Sequence, residues 1–273
     1  MELKVMTYNI ASGRYYANDR DVTPEGSAPV DLSKCAEVIR REQPDICGIN
    51  EINDYLPGYL ASKNISGTPN DQTAFLTEST GLENGCFGRA IHFSGRGDYG
   101  NSVLSRYAVL EAGVIPIPDP DVFDEDRYYE TRGITKVKLD IAGGVTVMQV
   151  HVGLAVAESQ NAVVTLCKEI DHTEGPLILM GDFNMRPGNF LLDRIRQRLT
   201  EVLPEGEGYV HTFPSWSHDA QLAPELKHHP YCKLDYIFVS NHFRAEACRV
   251  LPVRVSDHMP MVASLCLKEE TQT

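Results

Sequence analysis

The chain has 273 residues, and 25 Lys+Arg stand against 38 Asp+Glu for a formal charge of −13. With 42% hydrophobic and 23% charged residues the composition is globular, which excludes a disordered chain, and the acidic balance argues against a non-catalytic nucleic-acid coat. No apolar run approaches the ~18–20 residues that span a bilayer, and no secretory signal or lipidation motif is visible, so a cytoplasmic protein without a membrane span is expected. The seven cysteines form no C-x-x-C pair and mostly sit among apolar residues, which reads as buried, reduced thiols.

In chain order, Leu3–Ile10 is β-rich. Asp31 suits a helix N-cap, because Leu32, Cys35, Ala36 and Ile39 follow on one helical face and Pro44 stops the run. Asp45–Asn50 reads as a short buried strand. Thr68-Pro69 opens a second helix that stops near Gly81. Arg89–Phe93, Asn101–Tyr107, Gly133–Asp140 and Gly144–His151 read as strands. Ser159, Val163, Leu166, Cys167 and Ile170 line a third helical face, and Pro176 precedes the apolar run Leu177–Met180. Phe190, Leu191, Ile195 and Leu199 suggest another helix, and Leu234–Val239 and Met261–Leu267 are closing strands. Three long loops, Ala11–Val30, Ile115–Arg132 and Tyr209–Lys233, are of the kind that carries function. No repeat, linker or break in composition appears, so residues 1–273 are expected to form one domain, with two layers of sheet and helices outside.

The residues with chemistry cluster at strand ends. Gly181-Asp182-Phe183-Asn184 follows a buried run, and period-two alternation aims Asp182 and Asn184 to one side, although an Asx turn explains the pair as readily. Ser256-Asp257-His258 offers a cation ligand beside a proton donor; taken alone, a surface turn is the better reading. Glu51 follows a buried strand, where a carboxylate is costly unless it is paired or holds a metal. Asn9 and His151 also end strands, and Asp235 inside a strand-like run wants a partner such as histidine. Converging on one cleft, these groups would make a hard-cation site with acid–base side chains, suited to Mg²⁺ or Mn²⁺ rather than zinc.

Other patterns carry less. Gly95–Gly100 fits G-x-G-x-x-G, but a strand-like segment follows where a dinucleotide fold needs a helix, so a hairpin turn is expected. His211, His218, His228 and His229 match no zinc spacing and read as a solvated loop. No G-x-S-x-G elbow exists, which argues against a serine hydrolase.

The ordered set MTYNI, GINEI, GNSVLSRY, VHVGL, GDFNMRP, KLDYIFVS and SDHMP, running from residue 6 to residue 260, resembles the endonuclease/exonuclease/phosphatase (DNase I-like) superfamily. HVGLAVAESQ more closely resembles the short bacterial-type metal-dependent hydrolases of that group. The resemblance implies an α/β (α+β) fold, a four-layer α/β/β/α sandwich of two mixed sheets, and Mg²⁺-dependent hydrolysis of a phosphate ester. It implies Glu51 as principal metal ligand with Asn9 and Asp257 nearby. Asp182 would activate water, and Asn184 would hold that water or a phosphate oxygen. His258, oriented by Asp235, would contact the phosphate, and His151 would assist the leaving group. Asn101 and Arg132 would be substrate contacts. The chain lacks the additional acidic ligand that AP endonucleases carry near Asn9, and has His151 where they use tyrosine, which argues against abasic-DNA repair.

The expected substrate is a small-molecule or lipid-derived phosphate. The alternative is a nuclease on DNA or RNA, which needs a basic stripe beside the cleft drawn from Arg14, Arg20, Arg89, Arg96, Arg106, Arg127 and Arg132. A catalytically dead binding module on the same fold is a third reading, against which the complete motif set argues.

Overall fold

The structure, a computed structural model, describes residues 1–16, 29–66, 68–121, 129–205, 210–216 and 230–268. Strand β1 (Glu2–Asn9) leads through a 3-10 turn at Ala11–Gly13 to helix α1 (Leu32–Glu42). There follow β2 (Ile46–Tyr55), the short α2 (Tyr59–Ser62), α3 (Gln72–Thr80), β3 (Asn84–Phe93), β4 (Gly97–Ser105), β5 (Val109–Pro116), β6 (Gly133–Leu139) and β7 (Val145–His151). The second half holds α4 (Val156–Asp171), β8 (Leu177–Asp182), α5 (Phe190–Arg196), β9 (Thr200–Glu201), β10 (Asp235–Val239), β11 (Phe243–Val250) and β12 (Met261–Leu267). Among the described residues the strands form two six-stranded sheets, ordered β11-β12-β1-β2-β4-β3 and β5-β6-β7-β8-β10-β9. Each is mixed: β1–β2 and β7–β8 pair in parallel within otherwise antiparallel ladders. Helices cover the outer faces, giving the α/β/β/α sandwich.

Local chemistry explains the helices. Asp31 accepts from the Ser33 backbone N–H at 3.1 Å, Arg40 and Arg41 complement the dipole in the last turn, and Gln43 closes α1 in the left-handed region. The helix expected from Thr68-Pro69 begins later, because Asp71 is the N-cap and accepts from Ala74 N at 2.8 Å; Gly81 ends it as expected. The helix expected to reach Leu199 stops at Arg196. Strands β3 and β4 start earlier than the sequence suggests; the turn between them is Ser94–Arg96, so the hairpin turn expected over Gly95–Gly100 covers only its start, and Gly97–Gly100 belong to β4. Strands β5 and β11 lay outside the sequence-based expectation. Both are sheet edges with largely exposed residues, so neither shows a clean apolar run.

Period-two alternation sorts the strands into three apolar layers. Met6, Tyr8, Cys47 and Ile49 face α1 and α3, packing with Leu32, Ile39 and Leu76. Met148, Val150, Leu179 and Phe238 face α4 and α5, packing with Val163, Leu166 and Ile195. Leu3, Val5, Ile46, Val145, Val147, Ile178, Met180, Ile237 and Met261 fill the space between the sheets. Along that middle layer the side chains change character in one direction. The same faces that carry Leu3, Ile46, Val145 and Ile178 continue to buried Thr7, Asn50 and Gln149, and end at Asn9, His151, Asp182 and Asp235. No helix among the described residues is long and apolar enough to cross a membrane.

Gly181 marks how tightly this end is packed. Its φ is +141°, and a Cβ there would stand 1.9 Å from the Val150 carbonyl oxygen. Gly181→Ala is therefore expected to push β7 and β8 apart and cost about 2–4 kcal/mol, from overpacking plus backbone strain. The check is a urea unfolding midpoint; an unchanged midpoint would show that the close approach is not required.

Candidate active site

Register brings the polar strand ends together. Asn9 pairs with Asn50 across β1–β2, Asn50 with Asn101 across β2–β4, and Asp182 with His151 and Asp235 on its two sides. Asn50, which the sequence reading did not single out as a site residue, joins the sheets. Its Nδ2 donates to Asn101 Oδ1 at 2.8 Å and to the Val150 carbonyl at 2.9 Å. Its Oδ1 accepts from Gln149 Nε2 at 2.8 Å and from the Asp182 N–H at 3.0 Å. Gly48 leaves room for Gln149, since a Cβ there would lie 1.9 Å from Gln149 Oε1.

Glu51 is the extra residue of a bulge between β2 and β4, with φ +57°. The bulge takes Glu51 out of the alternation and turns its carboxylate to the cleft. Asn9 Nδ2 donates to Glu51 Oε1 and to Asp182 Oδ2, both at 3.1 Å, while Asn9 Oδ1 accepts from the Ala11 N–H. Burial and the nearby Asp257 push the Glu51 carboxyl up, against Asn9, Arg132 and His258. Asp257 is half-buried and accepts from the Ser256 hydroxyl at 3.0 Å.

Asp182 is buried at the centre. Its Oδ1 accepts from the Asn184 N–H at 2.9 Å, and its Oδ2 lies 3.5 Å from both His151 Nε2 and His258 Nε2. Burial pushes its carboxyl up to about 7, against the pull of His258. Burial works against a charged His258, but Asp235 and Asp182 outweigh it and hold the ring well above the ordinary histidine range. Asp235 Oδ2 meets His258 Nδ1 at 2.8 Å, and the other oxygen of Asp235 is buried with no hydrogen-bond partner among the described residues. Thr212 supports this strand end by accepting from the Leu234 and Asp235 N–H groups.

His151 differs from His258. Burial, Arg132 and His258 all lower its pKa, so the ring is neutral. Arg132 Nη1 lies 2.8 Å from His151 Nδ1, and a guanidinium only donates, so Nδ1 accepts and the proton sits on Nε2. Arg132 also pairs with Glu130 at 2.7 Å, and the Glu130 N–H donates to Glu158 at the start of α4. Asn184, at φ +50°, donates to the Val152 carbonyl at 2.8 Å and stands 3.2 Å from His151 Nε2. Asn101 is buried, its carboxamide committed to Asn50 and to the Gly133 carbonyl at 3.2 Å.

These groups border a cleft of about 540 Å³. Glu51, Arg132, His151, Asp182, Asn184 and His258 line it, as do Arg14, Arg96, Tyr99 and Phe213, whose proximity no spacing rule announced. Phe213 packs on His258 with ring centres 4.9 Å apart. Of the arginines considered for a basic stripe, Arg14, Arg96 and Arg132 share this cleft. Arg89 and Arg106 pair instead with Asp98 and Asp45. Arg20, Arg127, His218, His228 and His229 lie outside the described residues.

Asp182, Asp235 and His258 present ligand atoms within 4.8 Å of one another, a buried acidic/His cluster compatible with a divalent metal. The nearby Asp257 raises the demand of Glu51 for a cation, and the oxygens of both, with the Asn9 amide, are the donors a hard ion takes. Such a site at the rim of two packed mixed sheets defines a metal-dependent phosphoric-ester hydrolase. The chain belongs to the Endonuclease/Exonuclease/phosphatase family, whose sequence model matches residues 6–258. Comparison with curated proteins gives no match. Among solved structures, an endonuclease/exonuclease/phosphatase from Beutenbergia cavernae is 25% identical, over 97% of this chain and 72% of that one, with TM-score 0.68. A mannosyl-6-phosphatase from Bacteroides thetaiotaomicron is 17% identical, over 97% and 100%, with TM-score 0.68. D. rerio TDP2, complexed with a single-strand DNA product, is 15% identical, over 97% and 99%, with TM-score 0.64.

The raised Asp182 and His258 act on stability in the same direction. Folded Asp182 keeps its proton up to about 7 whereas the unfolded group releases it near 3.8, so stability falls as pH rises between them. His258 stabilises fully below its unfolded value of 6.5, and that contribution is lost as pH rises through the higher folded value. In EDTA the protein is expected to be about 1–3 kcal/mol less stable at pH 8 than at pH 5, with a shallower dependence in Asp182→Asn. Urea unfolding at both pH values checks this; a parallel slope in the variant would contradict it.

Proposed function

We propose that residues 1–273 form one domain that acts as a Mg²⁺-dependent phosphodiesterase, with Mn²⁺ as a substitute, on a phosphodiester of nucleic-acid type. The observation that carries the reaction is Asp182 set between Asn9, His151 and His258, beside Glu51. Asn9, Glu51 and Asp257 would hold the cation, which when bound neutralises charge on the phosphoryl oxygens. Asp182, with an affinity for protons tuned close to neutrality, takes the proton of a water positioned by Asn184 for in-line attack. His258, oriented and kept charged by Asp235, donates to a nonbridging oxygen. His151 presents its Nε2–H on the leaving-group side, steadied by Arg132, which also faces the cleft. Asn101 serves the site through Asn50.

The convergence of Arg14, Arg96 and Arg132 beside Tyr99 and Phe213 supports a nucleic-acid backbone with stacked bases. A second reading, a small-molecule phosphate, is supported by the charge of −13. The fold likeness to the mannosyl-6-phosphatase is compatible with it. The seven free cysteines support a reducing compartment such as the cytoplasm.

The test is hydrolysis of bis-p-nitrophenyl phosphate against p-nitrophenyl phosphate in Mg²⁺, Mn²⁺ or EDTA. Turnover is expected with metal alone and faster on the diester, and Asp182→Ala and His258→Ala each lose about 10²–10⁴-fold in kcat. Turnover in EDTA, or variants as active as the wild type, would overturn the mechanism. On a single-stranded oligonucleotide, log kcat/KM should fall with log salt at a slope of roughly −2, from about 0.7 per phosphate neutralised by three arginines. A flat salt profile would favour the small-molecule reading.

A further inference from the structure

Among the described residues the cleft has two cationic poles, and only one is held by carboxylates. Arg132 pairs with Glu130, and His258 lies between Asp235 and Asp182. The other pole is Arg14 and Arg96, which line the cleft with Ser12, Glu51 and Tyr99. Arg96 sits in an aromatic cradle, 5.0 Å from the Phe93 ring centre and 5.9 Å from those of Tyr55 and Tyr99. It donates to Asn53 Oδ1 at 2.8 Å, and its charge acts on the Tyr55 phenol. Arg14 is fixed by a backbone bridge to Val30 and interacts electrostatically with the Tyr16 phenol, whose ring packs on Trp216 at 5.8 Å. Both guanidiniums act electrostatically on Tyr55, so they lie near one phenol. Among the described residues, the groups beside them are thus neutral aromatic rings, phenols and an amide. The carboxylates that act on Arg14 through space, Glu51 and Asp257, are the two assigned above to the cation. In a chain of charge −13, two guanidiniums held by neutral groups at a cleft are a preorganised receptor for an anion. Two planar forks match a tetrahedral dianion better than a single carboxylate.

We propose that Arg14 and Arg96, floored by Tyr55 and Tyr99, form a second phosphate subsite beside the scissile one, so that the preferred substrate carries a further phosphate near the bond that is cut. This rests on the phosphoesterase reading of the same cleft. The further phosphate is either the neighbouring one of a nucleotide chain or a second one on a small molecule.

The experiment compares two substrate pairs in Mg²⁺. One is the p-nitrophenyl ester of thymidine 5′-phosphate with and without a 3′-phosphate. The other is glucose 1,6-bisphosphate against glucose 6-phosphate. The added phosphate is expected to raise kcat/KM about tenfold or more in at least one pair, the worth of one charge-assisted hydrogen bond. That ratio should fall towards one in Arg14→Gln and Arg96→Gln, chiefly through KM, and recover in part in Arg14→Lys. An advantage in the nucleotide pair assigns the subsite to a strand, and one in the sugar pair assigns it to a small molecule. A ratio near one in both pairs, or a preference that survives both glutamine substitutions, overturns the proposal. Should no ester be turned over, the activity reading fails by itself. Calorimetric titration of thymidine 3′,5′-bisphosphate against thymidine 5′-monophosphate in Ca²⁺ then decides the subsite, and equal affinities would refute it.

Discussion

The carboxamide of Asn50 is the constraint on which the rest of the site depends. It uses both hydrogens and both lone pairs inside the sandwich, on Asn101 and Val150 in one direction and on Gln149 and Asp182 in the other. No water is needed to satisfy it, and each of those bonds left unmade would cost about 1–3 kcal/mol. Because its partners come from both sheets, their relative slide is fixed at the end where Asp182 lies. An apolar contact would tolerate a shift of an ångström there, whereas a fully used amide does not.

That anchoring accounts for the way the middle layer is written. At one end Leu3, Val145 and Ile178 hold the sheets together by burial, and at the other Asn9, Asp182 and Asp235 stand in the same rows. Carboxylates placed there without a counter-ion weaken the fold, as the upward push on Asp182 and Glu51 shows. Stability is concentrated in three apolar layers and given up at one rim, the usual relation between a scaffold and a site that must bind charge.

Much of this was legible in the residues. Strand ends bearing Asn9, His151, Asp182 and Asp235 could be read because apolar runs mark where strands stop. Helix α1 could be read because Asp31 and the Leu32–Ile39 face agree. What escaped has physical reasons. Strands β5 and β11 are edges whose exposed residues lose the apolar signal. The positive φ of Glu51 depends on a bulge, and a bulge depends on the partner strand. Asn101 reads as a substrate contact from its motif, yet its amide faces Asn50 and Gly133, which only the pairing of strands determines. The meeting of Arg14, Arg96 and Arg132 joins segments far apart in the chain, so no local pattern announces it.

The pairing of β1 with β12 has a consequence for how the protein comes into being. The first strand lies between β2 and a strand from the far end of the sequence, with Thr7 opposite Met261 and Glu2 opposite Cys266. A chain emerging from the ribosome can bury the outer faces of β1 and β2 against α1 early, but β1 keeps an open edge until residues beyond 260 arrive. Closing so distant a pair is entropically slow, and the waiting edge is a place for wrong partners to add. The same late event delivers Asp257 and His258 to a cleft that already holds Glu51 and Asp182. Topology therefore completes the centre only once Asp257 and His258 have been made, and no nascent chain ending before them carries the full set of charges.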